Sequence, residues 1–140
     1  MSKTIVQDVV FKNTSPKDLY DVYLDSSKHS AATGAPAEIS DKEGSTYSAH
    51  NGYISGKTLQ LIQNGLIVQS WRAQSWSAED IDSTFIISLE RQGPDTILHA
   101  IHANVPDHAV SDLDPGWHKM SWEPIRFYLE GTPVSQASMY

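Results

Sequence analysis

Two histidines, His99 and His102, stand at the spacing of a metal-binding pair. They fall in a run, Thr96 to Asn104, that alternates as a strand does, and residues three apart on a strand point to opposite faces. The spacing therefore separates the two imidazoles. His99 is expected on the outer surface, and His102, which shares parity with Leu98 and Ala100, on the inner face. An inward His102 is either a hydrogen-bonded core or rim histidine or a ligand contact. His118 could anchor a ligand, but near a helix start it reads better as packed at the sheet edge; the partial positive charge there disfavours an imidazolium. Asp107, Asp112 and Asp114 lack the regular spacing and closing glutamate of a calcium loop, so capping and solvation account for them. No metal site is expected.

Nucleophilic chemistry finds no support. There is no Ser-His-Asp order, G-x-S-x-G elbow or phosphate-binding glycine loop. The absence of cysteine removes thiolate nucleophiles, thiolate zinc sites and disulfides. Acid–base chemistry would need a polar group deep inside the fold. Gln69, Tyr53, His102 and Tyr128 are of the right type, but nothing in the sequence marks one as activated. No catalytic residue and no cofactor is assigned. Trp71, Trp117 and Trp122, with Phe85, Ile87 and Leu89, are core by default, because large aromatics dominate packing; some of them would wall a pocket beneath a covering element.

The element that must position these groups is a helix expected over Asp114 to Glu130. Asp114 serves as its N-cap and Pro115 takes the first position, where a missing N–H costs nothing. Gly131 and Pro133 end it. Lys119, Glu123, Arg126 and Glu130 form a polar arc. Trp117, Met120, Pro124, Phe127 and Tyr128 lie on one apolar side, and Trp122, Ile125 and Leu129 on the other. Ser121 interrupts the apolar face, and Pro124 cannot donate to Met120 and should loosen the helix. Both could leave space underneath.

The rest of the chain supplies a cover. Lys3 to Lys12 alternates as a strand, with Ile5, Gln7, Val9 and Phe11 on one face. Ser15 caps a short helix with Pro16 at its first position, and Asp25 caps a second that Gly34 ends. Strands are expected at Glu38–Ser40, Gly44–His50, Tyr53–Gln63, Leu66–Ala73, Thr84–Arg91 and Thr96–Asn104. Asn51-Gly52 and Asn64-Gly65 read as two-residue hairpin turns. Gly56, in mid-strand, marks a bend or bulge. Successive hairpins make an antiparallel meander, and a twisted sheet curls around the one helix long enough to cover it. The expected fold is α+β: a curved seven-stranded antiparallel sheet gripping a C-terminal helix, with two short helices after the first strand.

At 140 residues, with 19% charged and 39% hydrophobic residues, the chain has an ordinary globular composition. A formal net charge of −7 disfavours nucleic-acid and membrane-surface partners. No apolar run approaches the roughly 18 residues of a membrane span, and the N-terminus lacks an apolar signal core, so a cytoplasmic protein is expected. Residues 1–131 read as a single domain and 132–140 as a flexible tail. The chain reads as a monomer or homodimer, with an exposed edge strand or the Trp76 loop as the dimer surface.

Several stretches carry a resemblance. They are Leu24-Asp25-Ser26, Thr33 to Ala37, Gly56, Asn64 to Arg72, Thr96, Val105-Pro106, and Gly116-Trp117 with Trp122, Pro124-Ile125 and Leu129-Glu130. In that order and spacing they resemble the activator-of-heat-shock-protein-90-ATPase homologue family, within the START-like helix-grip superfamily that includes polyketide cyclases and the birch pollen allergen. The eukaryotic co-chaperones that name the family carry an additional N-terminal domain with no counterpart in this sequence. The resemblance implies a cavity between helix and sheet. Its expected walls are Trp71, Phe85, Ile87, Trp117, Ser121 and Pro124, and its polar groups Gln69, His102 and Tyr128. A non-enzymatic module binding a small apolar or amphipathic molecule fits best. A stress-related co-chaperone acting on the chaperone, and a cyclase- or hydrolase-like enzyme using the same cavity, are the alternatives.

Overall fold

The computed structural model describes residues 2–130; Gly131, Pro133 and the 132–140 tail lie outside the described residues. Strand β1 (Ser2–Phe11) leads into helices α1 (Pro16–Leu24) and α2 (Ser26–Thr33). Strands β2 (Thr46–Ala49), β3 (Ile54–Ile62), β4 (Leu66–Ala73), β5 (Ser83–Gln92) and β6 (Asp95–Pro106) follow. The chain then enters α3 (Asp107–Trp117), a π-helical turn (His118–Trp122) and α4 (Glu123–Glu130). All strand pairs are antiparallel, in the order β1-β6-β5-β4-β3-β2. This is the expected α+β helix-grip arrangement.

The caps are where the sequence puts them. Ser15 accepts from the Asp18 N–H, Asp25 from the Lys28 N–H, and Gly34 closes α2 in the left-handed conformation at φ 79°. On β1, Ile5, Gln7, Val9 and Phe11 are the buried residues, as the alternation requires.

Three features differ from expectation. Among the described residues the sheet has six strands, not seven. Around Glu38 only one bridge forms, to Ser48. The flanking backbone is already satisfied by α2: Ser30 Oγ accepts from the Ala37 N–H, and Ser26 Oγ both accepts from the Ile39 N–H and donates to the Ile39 carbonyl. Those bonds lie on the edge away from Ser48; toward β2 the pairing stops at Pro36, which has no N–H and whose carbonyl accepts from Asn51 rather than His50. The hairpin turns are also longer. His50, Asn51 and Gly52 take positive φ in succession before β3, and the 63–65 turn is made with Asn64 alone at φ 61°.

The third difference concerns the long helix. It starts at Asp107, directly after Pro106 and without a side-chain cap, so Pro115 lies inside it and Asp114 is not its N-cap. The His118 N–H bonds to the Pro115 carbonyl, which leaves the Asp114 carbonyl without its usual intrahelical donor. Gln7 Nε2 fills that vacancy, donating to the Asp114 carbonyl at 2.6 Å and to its Oδ1 at 2.8 Å. Gln7 Oε1 accepts from Trp122 Nε1 at 2.8 Å. One buried amide on β1 thus fixes the helix at two points. Downstream, the Glu123 N–H reaches back five residues to the His118 carbonyl. That widened turn suits Pro124, which has no N–H to give Met120. It also brings Trp117 and Trp122, five apart, onto one face, where they stack at 5.2 Å and 14°. The sequence had placed these two tryptophans on opposite sides.

Candidate functional site

The inner sheet face divides into a packed half and an open half. On the packed side, Phe85 of β5 stacks on Trp117 at 4.1 Å and 6°, and Trp122 extends the stack. His102 of β6 stands edge-on to Trp71 and Phe85. Its hydrogen bonds assign the tautomer. Trp117 Nε1–H can only donate, so His102 Nδ1 is the acceptor, at 3.1 Å. Nε2 then carries the proton and donates to Ser83 Oγ at 2.7 Å, and the Ser83 hydroxyl in turn donates to the Trp71 carbonyl at 2.9 Å. Burial pushes the His102 pKa down to about 3, so the ring is neutral. Both nitrogens are committed to packing the aromatic cluster.

Gln69 is equally enclosed. Its Nε2 donates to Thr58 Oγ1 at 3.2 Å, and its Oε1 accepts from the Tyr23 hydroxyl at 3.4 Å. Gly56 on β3 is required by a close approach rather than by a turn. A Cβ there would lie 1.9 Å from the Ser70 carbonyl oxygen and 2.9 Å from the Tyr47 ring. The Tyr47 hydroxyl lies across this glycine and donates to that same carbonyl at 2.7 Å.

On the open side, helix α3 rests on β1 and β6 and stands away from β2 and β3, leaving a cavity of about 420 Å3. The sheet contributes Tyr47, Ala49, Ile54 and Trp71. The long helix contributes Leu113, Gly116, Trp117 and Ser121. Tyr23 and His29 close the end nearest α1 and α2, and the exposed Tyr53 and Met120 flank the mouth. A Cβ built at Gly116 would meet nothing within 4 Å, so the helix backbone itself faces empty space.

Of the residues expected to line a cavity, Trp71, Trp117 and Ser121 are on its walls. Phe85, Gln69 and His102 lie behind Trp71 and Trp117 in the packed core. Ile87 borders a void of about 10 Å3 beside Ile67, Leu98 and Trp122. Pro124 and Tyr128 border a separate groove of about 390 Å3 against Ala31 and Ala32 of α2. A depression of about 500 Å3 runs along α1 and the start of α2, and three of its polar residues are already engaged. Asp25 caps α2, Ser26 holds Ile39, and Asp21 pairs with Lys17.

The sequence reading passed over His29 and His50. His29 is only 4% exposed, and its Nδ1 lies 2.9 Å from the Tyr23 carbonyl, which makes Nδ1 the protonated nitrogen. Burial lowers the pKa of His29, and that of the half-buried His50 beside it. The available signal was the composition of α2, which has no apolar stripe: His29 and Ala32, three apart, are its two buried residues.

His99 and His102 point to opposite faces: His102 is buried, whereas His99 donates to Asp8 at 2.7 Å and Glu90 at 2.8 Å on the surface. His118 is exposed and not packed at the sheet edge. Trp76 is buried against Trp71 at 5.5 Å and does not present itself to a partner. Among the described residues no helix is long and apolar enough to cross a membrane.

Comparison with known proteins follows the same outline. Residues 13–130 match the family described as "Activator of Hsp90 ATPase homolog 1-like protein". An activator of 90 kDa heat shock protein ATPase homolog from Dictyostelium discoideum is 29% identical over 113 residues; the match covers 80% of this chain and 29% of that protein. The crystal structure of an HSP90 activator from Plasmodium falciparum superposes with a TM-score of 0.80 at 22% identity, covering 93% of this chain and 96% of the other. An Aha1 dimer from Colwellia psychrerythraea superposes with a TM-score of 0.77 at 16% identity, covering 93% and 98%.

Proposed function

The chain belongs to the Activator of Hsp90 ATPase homolog 1-like family, and from that membership we propose that it acts on the Hsp90 chaperone through the surface of its helix-grip domain. The observation that carries this reading is the family match over residues 13–130, which spans nearly every described element. A solved chain of almost the same extent bears the description of an HSP90 activator, and this favours action by a unit of this size. The chain spans under a third of the length of its Dictyostelium relative, so the activity of that longer protein is carried over here as a proposal. A cytoplasmic site of action goes with it. The test is the ATPase rate of purified Hsp90 titrated with this protein. A saturable increase is expected; an unchanged rate, with no complex detected at high concentration, refutes the reading.

The cavity favours a second activity, the binding of a small apolar or amphipathic molecule between helix and sheet. Its volume of about 420 Å3 falls in the range of small-molecule sites, and its walls combine apolar surface with a few polar groups. Native mass spectrometry of freshly purified protein tests this directly. Gly116→Leu separates the two readings. It replaces a helical glycine with a better helix former and fills the space under the helix, so the fold should be kept or stabilised while small-molecule binding is lost. Stimulation of the chaperone, if it runs through the surface, should survive the same change.

A further inference from the structure

The cavity wall carries, on a buried side chain, a polar atom that the fold does not use. His29 spends Nδ1 on the Tyr23 carbonyl, and among the described residues Nε2 has no hydrogen-bond partner. Among the same residues, Asn64 Oδ1 is the sole completely sealed side-chain polar atom left without a partner, so Nε2 of His29 reaches accessible space. The space His29 lines is the cavity. Nε2 is therefore an acceptor free to take a hydrogen bond from whatever occupies the cavity. The tyrosines of the wall differ, and the imidazole of His50 is only half-buried. Tyr47 gives its proton to the Ser70 carbonyl, and Tyr53 is paired with Ser75 at the mouth. Ser121, only 4% exposed, adds a hydroxyl from the helix side that also has no partner among the described residues.

Charge narrows the ligand further. Among the described residues no lysine or arginine lines the cavity, and its acidic residue is Asp112. Burial keeps both imidazoles neutral at neutral pH. An anion would find no counter-charge there, inside a chain of net charge −7. Resting on the ligand-binding reading above, we infer that the cavity selects an uncharged amphiphile bearing a hydroxyl on an apolar or aromatic body. The hydroxyl donates to Nε2 of His29, and the body lies against Trp71, Trp117 and Ile54.

Three probes of one skeleton test this by isothermal titration calorimetry: 1-naphthol, its methyl ether 1-methoxynaphthalene, and 1-naphthoate. The wild type should bind the naphthol about three- to tenfold more tightly than the ether, the worth of one hydrogen bond, with naphthoate weakest. His29→Asn keeps an N–H for the Tyr23 carbonyl but has no atom at the Nε2 position, so it should remove the preference and bring naphthol and ether to the same affinity. Gly116→Leu should abolish binding of all three. Equal affinity of wild type for naphthol and ether, or tightest binding of naphthoate, overturns the inference while leaving a ligand cavity. Binding that persists in Gly116→Leu puts the molecule elsewhere and overturns it too. If none of the probes binds the wild type, the ligand-binding reading falls and the inference with it.

Discussion

Replacing His102 with leucine should make stability depend less on pH, and the structure gives the size of the effect. At about pH 7.5 the substitution leaves the Trp117 indole N–H without an acceptor in a buried setting, while Ser83 keeps its bond to the Trp71 carbonyl. One orphaned buried donor costs about 1–3 kcal/mol, and part of the edge-on contact with Trp71 and Phe85 is lost as well. A deficit of about 2–3 kcal/mol is expected.

Acid should then close that gap. His102 is held at a pKa of about 3 in the fold, against an ordinary value of 6.5. The native state therefore binds fewer protons than the unfolded chain between those values. The stability tied to a neutral ring is complete above 6.5 and falls as the pH drops toward 3. Each unit is worth about 1.4 kcal/mol, so by about pH 4.5 the wild type loses about 3 kcal/mol that the leucine variant does not. His29 and His50 titrate in both proteins and cancel from the difference. Urea unfolding followed by tryptophan fluorescence at the two pH values reads the result directly. Curves that converge near pH 4.5 support the argument; a deficit of the same size at both refutes it, because the ring would then be protonating as freely in the fold as outside.

Three other outcomes are expected. Gly56→Ala should cost at least about 2 kcal/mol in chemical denaturation, since the new methyl group meets backbone rather than a movable side-chain tip. Gln7→Leu should destabilise by about 1–3 kcal/mol by orphaning the Trp122 indole N–H, and hydrogen exchange in the 114–122 segment should quicken; unchanged exchange there would show that the amide does not hold the helix. His99 donates to Glu90 and Asp8 at once, which requires the imidazolium and raises its pKa above 6.5. Its contribution is therefore present below 6.5 and lost as the pH rises through the raised value, and His99→Gln should flatten the thermal stability profile on that alkaline side.

How much of this was legible in the sequence depended on how local the cause was. Ser15, Asp25 and Gly34 act within a few residues of themselves, and their roles follow from type and position. The opposite facing of His99 and His102 follows from strand period alone. The missing seventh strand turned on Pro36, which has no N–H and whose carbonyl is taken by the Asn51 N–H, so that Glu38 pairs with Ser48 alone. No pattern within Glu38–Ser40 could register that partner. The helix start was misplaced for a related reason. Asp114-Pro115 is a good start signal, but the Asp114 carbonyl was answered by Gln7, on a strand more than a hundred residues earlier. The cavity walls split along the same line. Trp71, Trp117 and Ser121 could be placed from face and spacing, whereas His29 acquired its position from the docking of α2.

The π-turn links the two prolines to the cavity. Pro115 and Pro124 each withhold an N–H, and between them the helix makes a tight bond at His118 followed by a wide one at Glu123. The wide turn puts Trp117 and Trp122 on the same side, where they stack with each other and with Phe85 of β5. Gln7 holds that side of the helix against β1. A helix fixed along β1, β6 and β5 cannot also close on β2 and β3, and Gly116 on its far side offers no side chain to fill the difference. The open half of the grip follows from how firmly the other half is packed. Straightening the helix, for example by Pro124→Ala with Pro115→Ala, should therefore weaken the Trp117–Trp122 stack and change the near-ultraviolet circular dichroism of the tryptophans. An unchanged tryptophan spectrum in that double variant would mean that the π-turn is held by the aromatic stack itself and not by the prolines.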